Sequence, residues 1–247
     1  MPPLALLGFG PEGWFAQFLE ATVMTLQVAA GAYAMGLLLG FLAAWARISG
    51  PLPLKALAWF YTVIIRAVPM LLLIILLYFA GSAAVDSAMS WLLGRPFETG
   101  GYFSAVLALG IVQGAYMSEV LRGAIVAIPK GIMEAAFSLA LPRPIVFLKI
   151  VLPTMARIAL PGMSNLWQNV LKDTALVSVV GFTELVTVGK NAAATTQYYI
   201  FFLLMTGAIY YGIALCSGVI FTLLQNRVER GYRREEPRRF FRRVRAA

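Results

Sequence analysis

The sequence has no histidine and a single cysteine, Cys216. The first absence excludes a histidine-based metal centre and a histidine proton relay. The second excludes an intrachain disulfide. Charge is scarce too: Asp, Glu, Lys and Arg make up 13% of the 247 residues, about half the share of a soluble domain. That is too little polar surface to cover a water-facing core. No Lys or Arg precedes Arg47, so the basic start of a cleaved secretory signal is missing and none is expected.

What the chain has is apolar length. Hydrophobic residues make up 60% of it, and the mean hydropathy is +0.80. Residues 21–46 form one uncharged run. Residues 56–85 form a second, interrupted by Arg66, and residues 102–118 a third, with Glu119 at its end. Residues 158–182 form a fourth, interrupted by Lys172 and Asp173, and residues 198–224 a fifth. Each is long enough to cross a bilayer as a helix. The fold class expected is all-α and integral to the membrane, with five transmembrane helices.

The basic residues orient these spans. With the N-terminus outside, the inside segments hold Arg47 and Lys55, then Arg122, Lys130, Arg143, Lys149 and Arg157, then nine arginines in the last 23 residues. Arg95 and Lys190 fall outside. Positive residues gather on the cytoplasmic side, so the C-terminus is expected in the cytoplasm. The net charge of +9 is then a tail meeting anionic lipid, not a nucleic-acid surface. The chain reads as a single transmembrane domain over 1–247. Its core spans about 18–226, a structured inside loop about 119–157, and the basic tail 227–247.

Two groups of residues ask for a function. Within the inside loop, EAAFSLALPRPIVFLKIVLP spans residues 134–153. Gly131 is read as a break and residues 132–141 as a short helix stopped by Pro142 and Pro144. Glu134 in its first turn suits the helix dipole. Ala135, Ala136 and Ala140 offer a face of small side chains, with Phe137 and Leu141 as apolar anchors beside it. Such a helix either docks into a cytoplasmic partner or lies on the membrane surface touching nothing. The second group is Asn165, Gln168, Asn169, Lys172 and Asp173, at i, i+3, i+4, i+7 and i+8, which trace one helix face. A Lys or Asp at the centre of a span costs about 2.5–3.5 kcal/mol, so both need partners. Adjacent residues do not face each other, so each must look elsewhere. The stripe is either interhelical hydrogen bonding or a path for a polar solute.

The loop resembles the signature of binding-protein-dependent ABC importer permeases: Glu-Ala-Ala, three residues, Gly, nine residues, Ile, one residue, Leu-Pro. Glu134, Ala135, Ala136, Ile150, Leu152 and Pro153 match. Ala140 replaces the glycine, read as a minor departure because alanine is the next smallest side chain and Pro142 still ends the helix. YMSEVLRGAIVAIPKGIMEAA and RIALPGMSNLWQNVLKDTALVSVVGFTEL look like permeases of polar amino acid importers, the histidine, glutamine, arginine and opine group. RAVPMLLL at 66–73 resembles that group's Arg-Gly-Thr-Pro element, departing at Ala67 and Val68. Ile132 stands where the group has a polar residue. The likeness runs over about residues 22–230.

The resemblance implies the transmembrane domain of a type I ABC importer in a bacterial inner membrane. It implies an ATPase dimer as partner, a second permease subunit, identical or paralogous, and an external amino-acid-binding protein. The short loop helix becomes the coupling helix, and the motif residues named above become the ones that couple to the ATPase. The chain has no Gly-x-x-x-x-Gly-Lys-Ser/Thr loop, so no cofactor and no catalytic residue is expected on it, and ATP and Mg belong to the partner. The stripe, Asn165, Gln168, Asn169, Lys172 and Asp173, stays open between a substrate path and interhelical hydrogen bonding, with polar amino acids as suitable cargo for a path.

Arg66 is expected near the inside interface, snorkelling or touching a gate, because Pro69 suits a helix start and places the second span at about 69–89. Glu119 and Arg122 are spaced for a local ion pair, and Glu119 is the other gate candidate. Gly207, Gly212 and Gly218 are expected at close helix contacts, and Trp91, Tyr198 and Tyr199 at the membrane interfaces. An ion-gradient secondary transporter would explain the stripe but not the loop, and no inverted repeat is visible. No metal-ligand cluster or nucleophile–base set points to a membrane enzyme.

Overall fold

The computed structural model describes residues 13–229 together with Gly8. Most of the basic tail, residues 230–247, lies outside the described residues. All regular structure among the described residues is helical. Helix α1 is Phe15–Ser49, α2 is Leu52–Ala67 and α3 is Met70–Leu76. A wide turn at Leu77–Gly81 carries α3 into α4, Ser82–Leu93. Helix α5 is Gly101–Val126, α6 is Lys130–Ser138 and α7 is Arg143–Val146. A second wide turn, Phe147–Val151, leads into α8, Leu152–Val177. Helix α9 is Leu185–Thr196 and α10 is Tyr199–Glu229.

Among the described residues, five stretches are long and apolar enough to cross a membrane: Phe15–Ser49, Met70–Leu93, Gly101–Val126, Arg143–Val180 and Tyr199–Glu229. The run at 56–85 is not one helix. Val68 precedes Pro69 and is driven out of the helical region, to φ −91° and ψ 141°, so α2 ends and a new helix begins at Met70, as Pro69 led one to expect. The fourth span starts earlier than residue 158, since α7, the wide turn and α8 run together from Arg143. Helix α5 reaches Val126 and α8 already contains Arg157. The loop between the third and fourth spans is therefore shorter than the 119–157 expected.

Helix α5 is the axis of the bundle. Two-thirds of its apolar window is buried, against 11% for the second and last spans. Those two instead turn Leu72, Leu76, Phe79, Leu204 and Leu223 outward, as spans facing lipid or another protein do. Small residues set the fit of α1 on α5. Gly36 lies over Gln113 and Gly40 over Met117, so the contacts advance together and the two helices run parallel. A Cβ at Gly40 would stand 2.6 Å from Met117 Cβ, which only glycine avoids. Gly207 and Gly212, expected to be close-packing sites, are open instead: a Cβ at either would have no neighbour within 4 Å among the described residues, and one at Gly218 would meet only Gln168 Nε2 at 3.8 Å. The tight contacts lie between α1 and α5 and where Gly189 of α9 meets Thr206 of α10, not at the glycines of α10.

Candidate functional site

The segment that carries the Glu-Ala-Ala motif folds differently from its sequence reading. Pro129 precedes the first residue of α6, and Lys130–Ser138 forms the helix, two residues ahead of the 132–141 expected. Gly131 lies inside it, so it does not break the chain, and Glu134 sits in the second turn, away from the dipole end. Glu134 and Ala135 are exposed, but Ala136 is 2% exposed and faces the bundle. The three alanines are therefore not one free face. Ala140 lies beyond the helix with φ +52°. This is left-handed backbone, which a side chain penalises. The motif's glycine position is conformational, so the smallness of alanine does not make the replacement minor. Phe137 and Leu139 stay exposed. Ile132 from α6 meets Ile150, Pro153, Lys149 and Arg157 around a recess of about 200 Å³. Helix α6 and the second half of the motif, Ile150 and Pro153, thus share one wall.

Glu119 is the centre of a charge cluster. It accepts hydrogen bonds from Arg47 of α1 and from Arg122 at 2.9 Å, the local pair expected. Arg66 of α2 stands 3.3 Å from the same carboxylate and lies over the Tyr116 ring at 5.9 Å. Arg66 is half-exposed and turned to Glu119. Arg47 also donates to Thr62 Oγ1 at 3.3 Å. One carboxylate therefore ties α1, α2 and α5 together, and three guanidinium groups share one negative charge. Arg47 escaped notice in the sequence because it sits at the end of an apolar run, where a basic residue is ordinary.

The polar stripe on α8 divides. Gln168 donates to the Ala214 carbonyl at 3.0 Å and to Ser217 Oγ at 3.3 Å on α10, so it fastens helices. Asn165 and Lys172 are exposed, and Asn169 and Asp173 are half-buried. Among the described residues, none of these four forms an ion pair or hydrogen bond with another helix. Gln113 of α5 donates to the Leu166 carbonyl at 3.0 Å and holds α8 to the axis from behind.

One residue the sequence reading passed over is Glu184. It is 1% exposed and caps α9, accepting from the Thr187 N–H at 3.0 Å. It also accepts from Tyr210 Oη on α10 at 2.8 Å. The signal available was a carboxylate one position after Thr183 at the close of an apolar run, and nothing in the spacing named its partner. No group of three or more potential metal ligands occurs among the described residues.

This arrangement belongs to a known class of membrane fold. It superposes on a chain from the "crystal structure of an amino acid ABC transporter with histidines" with a TM-score of 0.74 and 27% identity, covering 87% of this chain and 95% of that one. It also matches a chain of the MetNI methionine ABC transporter in an inward-facing conformation (TM-score 0.61, 16% identity, 85% and 95% covered), a likeness of fold alone. The fold is that of a type I ABC importer transmembrane domain. Residues 36–230 match the family described as binding-protein-dependent transport system inner membrane component, and the chain belongs to that family. Among its relatives are the octopine transport system permease protein OccQ of Rhizobium meliloti and the histidine/lysine/arginine/ornithine transport system permease protein HisQ of Escherichia coli (strain K12). The first is 41% identical over 237 residues, covering 94% of this chain and 98% of that protein. The second is 30% identical over 224 residues, covering 91% and 98%.

Proposed function

We propose that the chain is the membrane-spanning subunit of an ATP-driven importer of polar amino acids or opines in a bacterial inner membrane. Its N-terminus is outside and its C-terminus in the cytoplasm. A separate ATPase dimer binds and hydrolyses MgATP. A second permease subunit completes the pathway, and an external binding protein delivers cargo. The relatives' names, octopine, nopaline and the basic amino acids, support that cargo class.

The observation that carries this reading is the position of α6. It is a short helix with Glu134, Ala135 and Phe137 turned outward, resting through Ile132 on the start of α8. Helix α8 also carries Asn165, Asn169, Lys172 and Asp173. A push on α6 therefore reaches the helix that bears the polar face. Four side chains on that face without a partner on another helix among the described residues suit a solute that exchanges its hydration for theirs. Lys172 and Asp173 offer one charge of each sign to a zwitterion. Arg66 and Glu119 stand among three helices at one level, where separating them would open a gap between α2 and α5.

The test is reconstitution with the ATPase and binding protein in proteoliposomes. Uptake that requires ATP and is stopped by vanadate is the expected result. Uptake driven by an ion gradient without ATP would establish the secondary transporter instead. Glu134→Lys is expected to abolish transport-coupled ATP hydrolysis while membrane insertion is unchanged.

A further inference from the structure

A glutamate is an unusual choice to cap a helix. Serine, threonine, aspartate and asparagine lead at that position, because a short side chain reaches the free N–H groups best. Burying a carboxylate inside a membrane protein is costly as well, and such residues are retained where they do something. Glu184 is 1% exposed and forms no ion pair among the described residues. The local need of α9 does not explain it.

Its two oxygens do separate jobs. Oε1 accepts the Thr187 N–H at 3.0 Å and so caps α9. Oε2 accepts the Tyr210 hydroxyl of α10 at 2.8 Å. An aspartate or serine would make the first bond and fall short of the second. The Tyr210 hydroxyl lies 3.3 Å from Thr174 Oγ1 on α8, and Thr174 follows Asp173 directly. This last link is the loose one, since Thr174 has a second acceptor in the Leu171 carbonyl at 2.7 Å. On the other side of Glu184, the Leu185 N–H donates to Thr25 Oγ1 of α1 at 3.1 Å. The connection from α8 into α9 passes through Gly181 at φ +87° and is braced by Thr187 Oγ1 donating to the Phe182 carbonyl at 2.9 Å. Four helices thus meet around one carboxylate, at the end of the bundle where α1 begins. Phe18, Ala21, Leu185, Ala192 and Phe202 pack together there.

We propose that Glu184 is a positioning residue for transport: through Tyr210 it latches α9 and α10 to the stretch of α8 that carries Asp173, so that a load on α9 changes how the polar face is held. The inference rests on the importer reading, in which this end of the bundle faces the external binding protein. Docking of that protein then bears on α9, and the Glu184–Tyr210 bond carries the load toward Lys172 and Asp173. A glutamine keeps one oxygen to accept the Thr187 N–H, and its amide N–H can donate to the Tyr210 oxygen in place of the bond it cannot accept, so a neutral side chain of the same length would preserve much of the link.

The test uses the complete complex of permease, ATPase and binding protein in lipid nanodiscs, with ATP hydrolysis measured with and without liganded binding protein. Tyr210→Phe leaves the cap of α9 intact and deletes only the hydroxyl that bonds Glu184. It is expected to assemble in normal amount and keep basal hydrolysis within about twofold, while the stimulated-to-basal ratio falls at least fivefold. Glu184→Gln is expected to retain more than half the ratio and Glu184→Ala to lose it. An unchanged ratio in Tyr210→Phe, or a fall in the amount of assembled complex with the ratio preserved, would overturn the latch. So would a Glu184→Gln protein as impaired as Glu184→Ala. A parent complex whose ATPase ignores the binding protein would instead overturn the importer reading, and the latch with it.

Discussion

Arg66 Nη1 stands 3.3 Å from Glu119 Oε1, an oxygen that Arg47 also binds. The carboxylate is thus shared by α1, α2 and, through Arg122, its own helix α5. This geometry separates two ideas that are easily merged. In a simple gate pair, exchanging the two charges restores the interaction. In a hub, the exchange fails, because the other two partners do not change sign.

The exchange is therefore informative. Arg66→Ala removes the loosest and most exposed partner, and uptake is expected to fall only a few-fold. Glu119→Gln leaves three guanidinium groups facing each other with no counter-charge, and like charges at this range repel. It is expected to reduce the amount of assembled complex by more than half. The double variant Arg66→Glu with Glu119→Arg places a third cation beside Arg47 and Arg122. It is expected to behave no better than Glu119→Gln. Quantifying complex recovered from membranes and uptake per complex checks all three.

Ala140 gives a prediction of the opposite sign. A non-glycine residue in left-handed backbone costs roughly 1–2 kcal/mol, and Ala140 sits there with φ +52°. Ala140→Gly relieves this strain and is expected to keep or raise coupled ATP hydrolysis. Ala140→Val adds a branched side chain where the backbone tolerates it least and is expected to lower coupling severalfold at normal insertion. Comparing ATP hydrolysed per solute imported in the two variants decides the matter.

The helix seam can be tested by contrast. A Cβ at Gly40 would overlap Met117, and overpacking of this kind costs about 1–3 kcal/mol. Gly40→Ala is expected to lower the Tm of the purified subunit by several degrees. Gly207→Ala, with no neighbour within 4 Å among the described residues, meets no clash and gains alanine's better helix propensity, and is expected to leave it equal or slightly higher. Thermal unfolding followed by circular dichroism in one detergent compares the two directly.

How legible these features were depended on the range of the interaction. Apolar length alone marked the five spans, and Pro69 alone marked the break before Met70, because both act within a few residues. The motif at 134–153 was visible as spacing. The start of α6 was not, since Pro129 opens the helix and Gly131, for all its low propensity, is carried along inside it. Tertiary pairing was invisible. Arg47, Arg66 and Glu119 come from three separate helices, and no local rule joins them. Glu184 and Tyr210 were missed for the same reason. The glycines of α10 looked like packing sites by composition, but a glycine packs closely only where another helix arrives, and α5 met α1 instead.

The stripe on α8 offers the sharpest division between holding helices and passing solute. Gln168 donates to Ala214 and Ser217 on α10, whereas Asp173, further along the same helix, binds no other helix among the described residues. If the stripe is chiefly interhelical hydrogen bonding, Gln168→Leu is the damaging change, because the Ser217 hydroxyl and the Ala214 carbonyl lose a partner, at about 0.6 kcal/mol for an average bond of this kind in a membrane protein. If it is also a path, Asp173→Asn must matter more to transport, although it removes no contact between helices and makes the span cheaper to insert. The expected outcome is a crossed pattern. Gln168→Leu lowers thermal stability slightly and keeps uptake within about twofold. Asp173→Asn leaves stability equal or higher, with normal assembly, and lowers uptake of labelled amino acid at least tenfold. Uptake by Asp173→Asn at the parental rate would leave Asp173 without a role in transport.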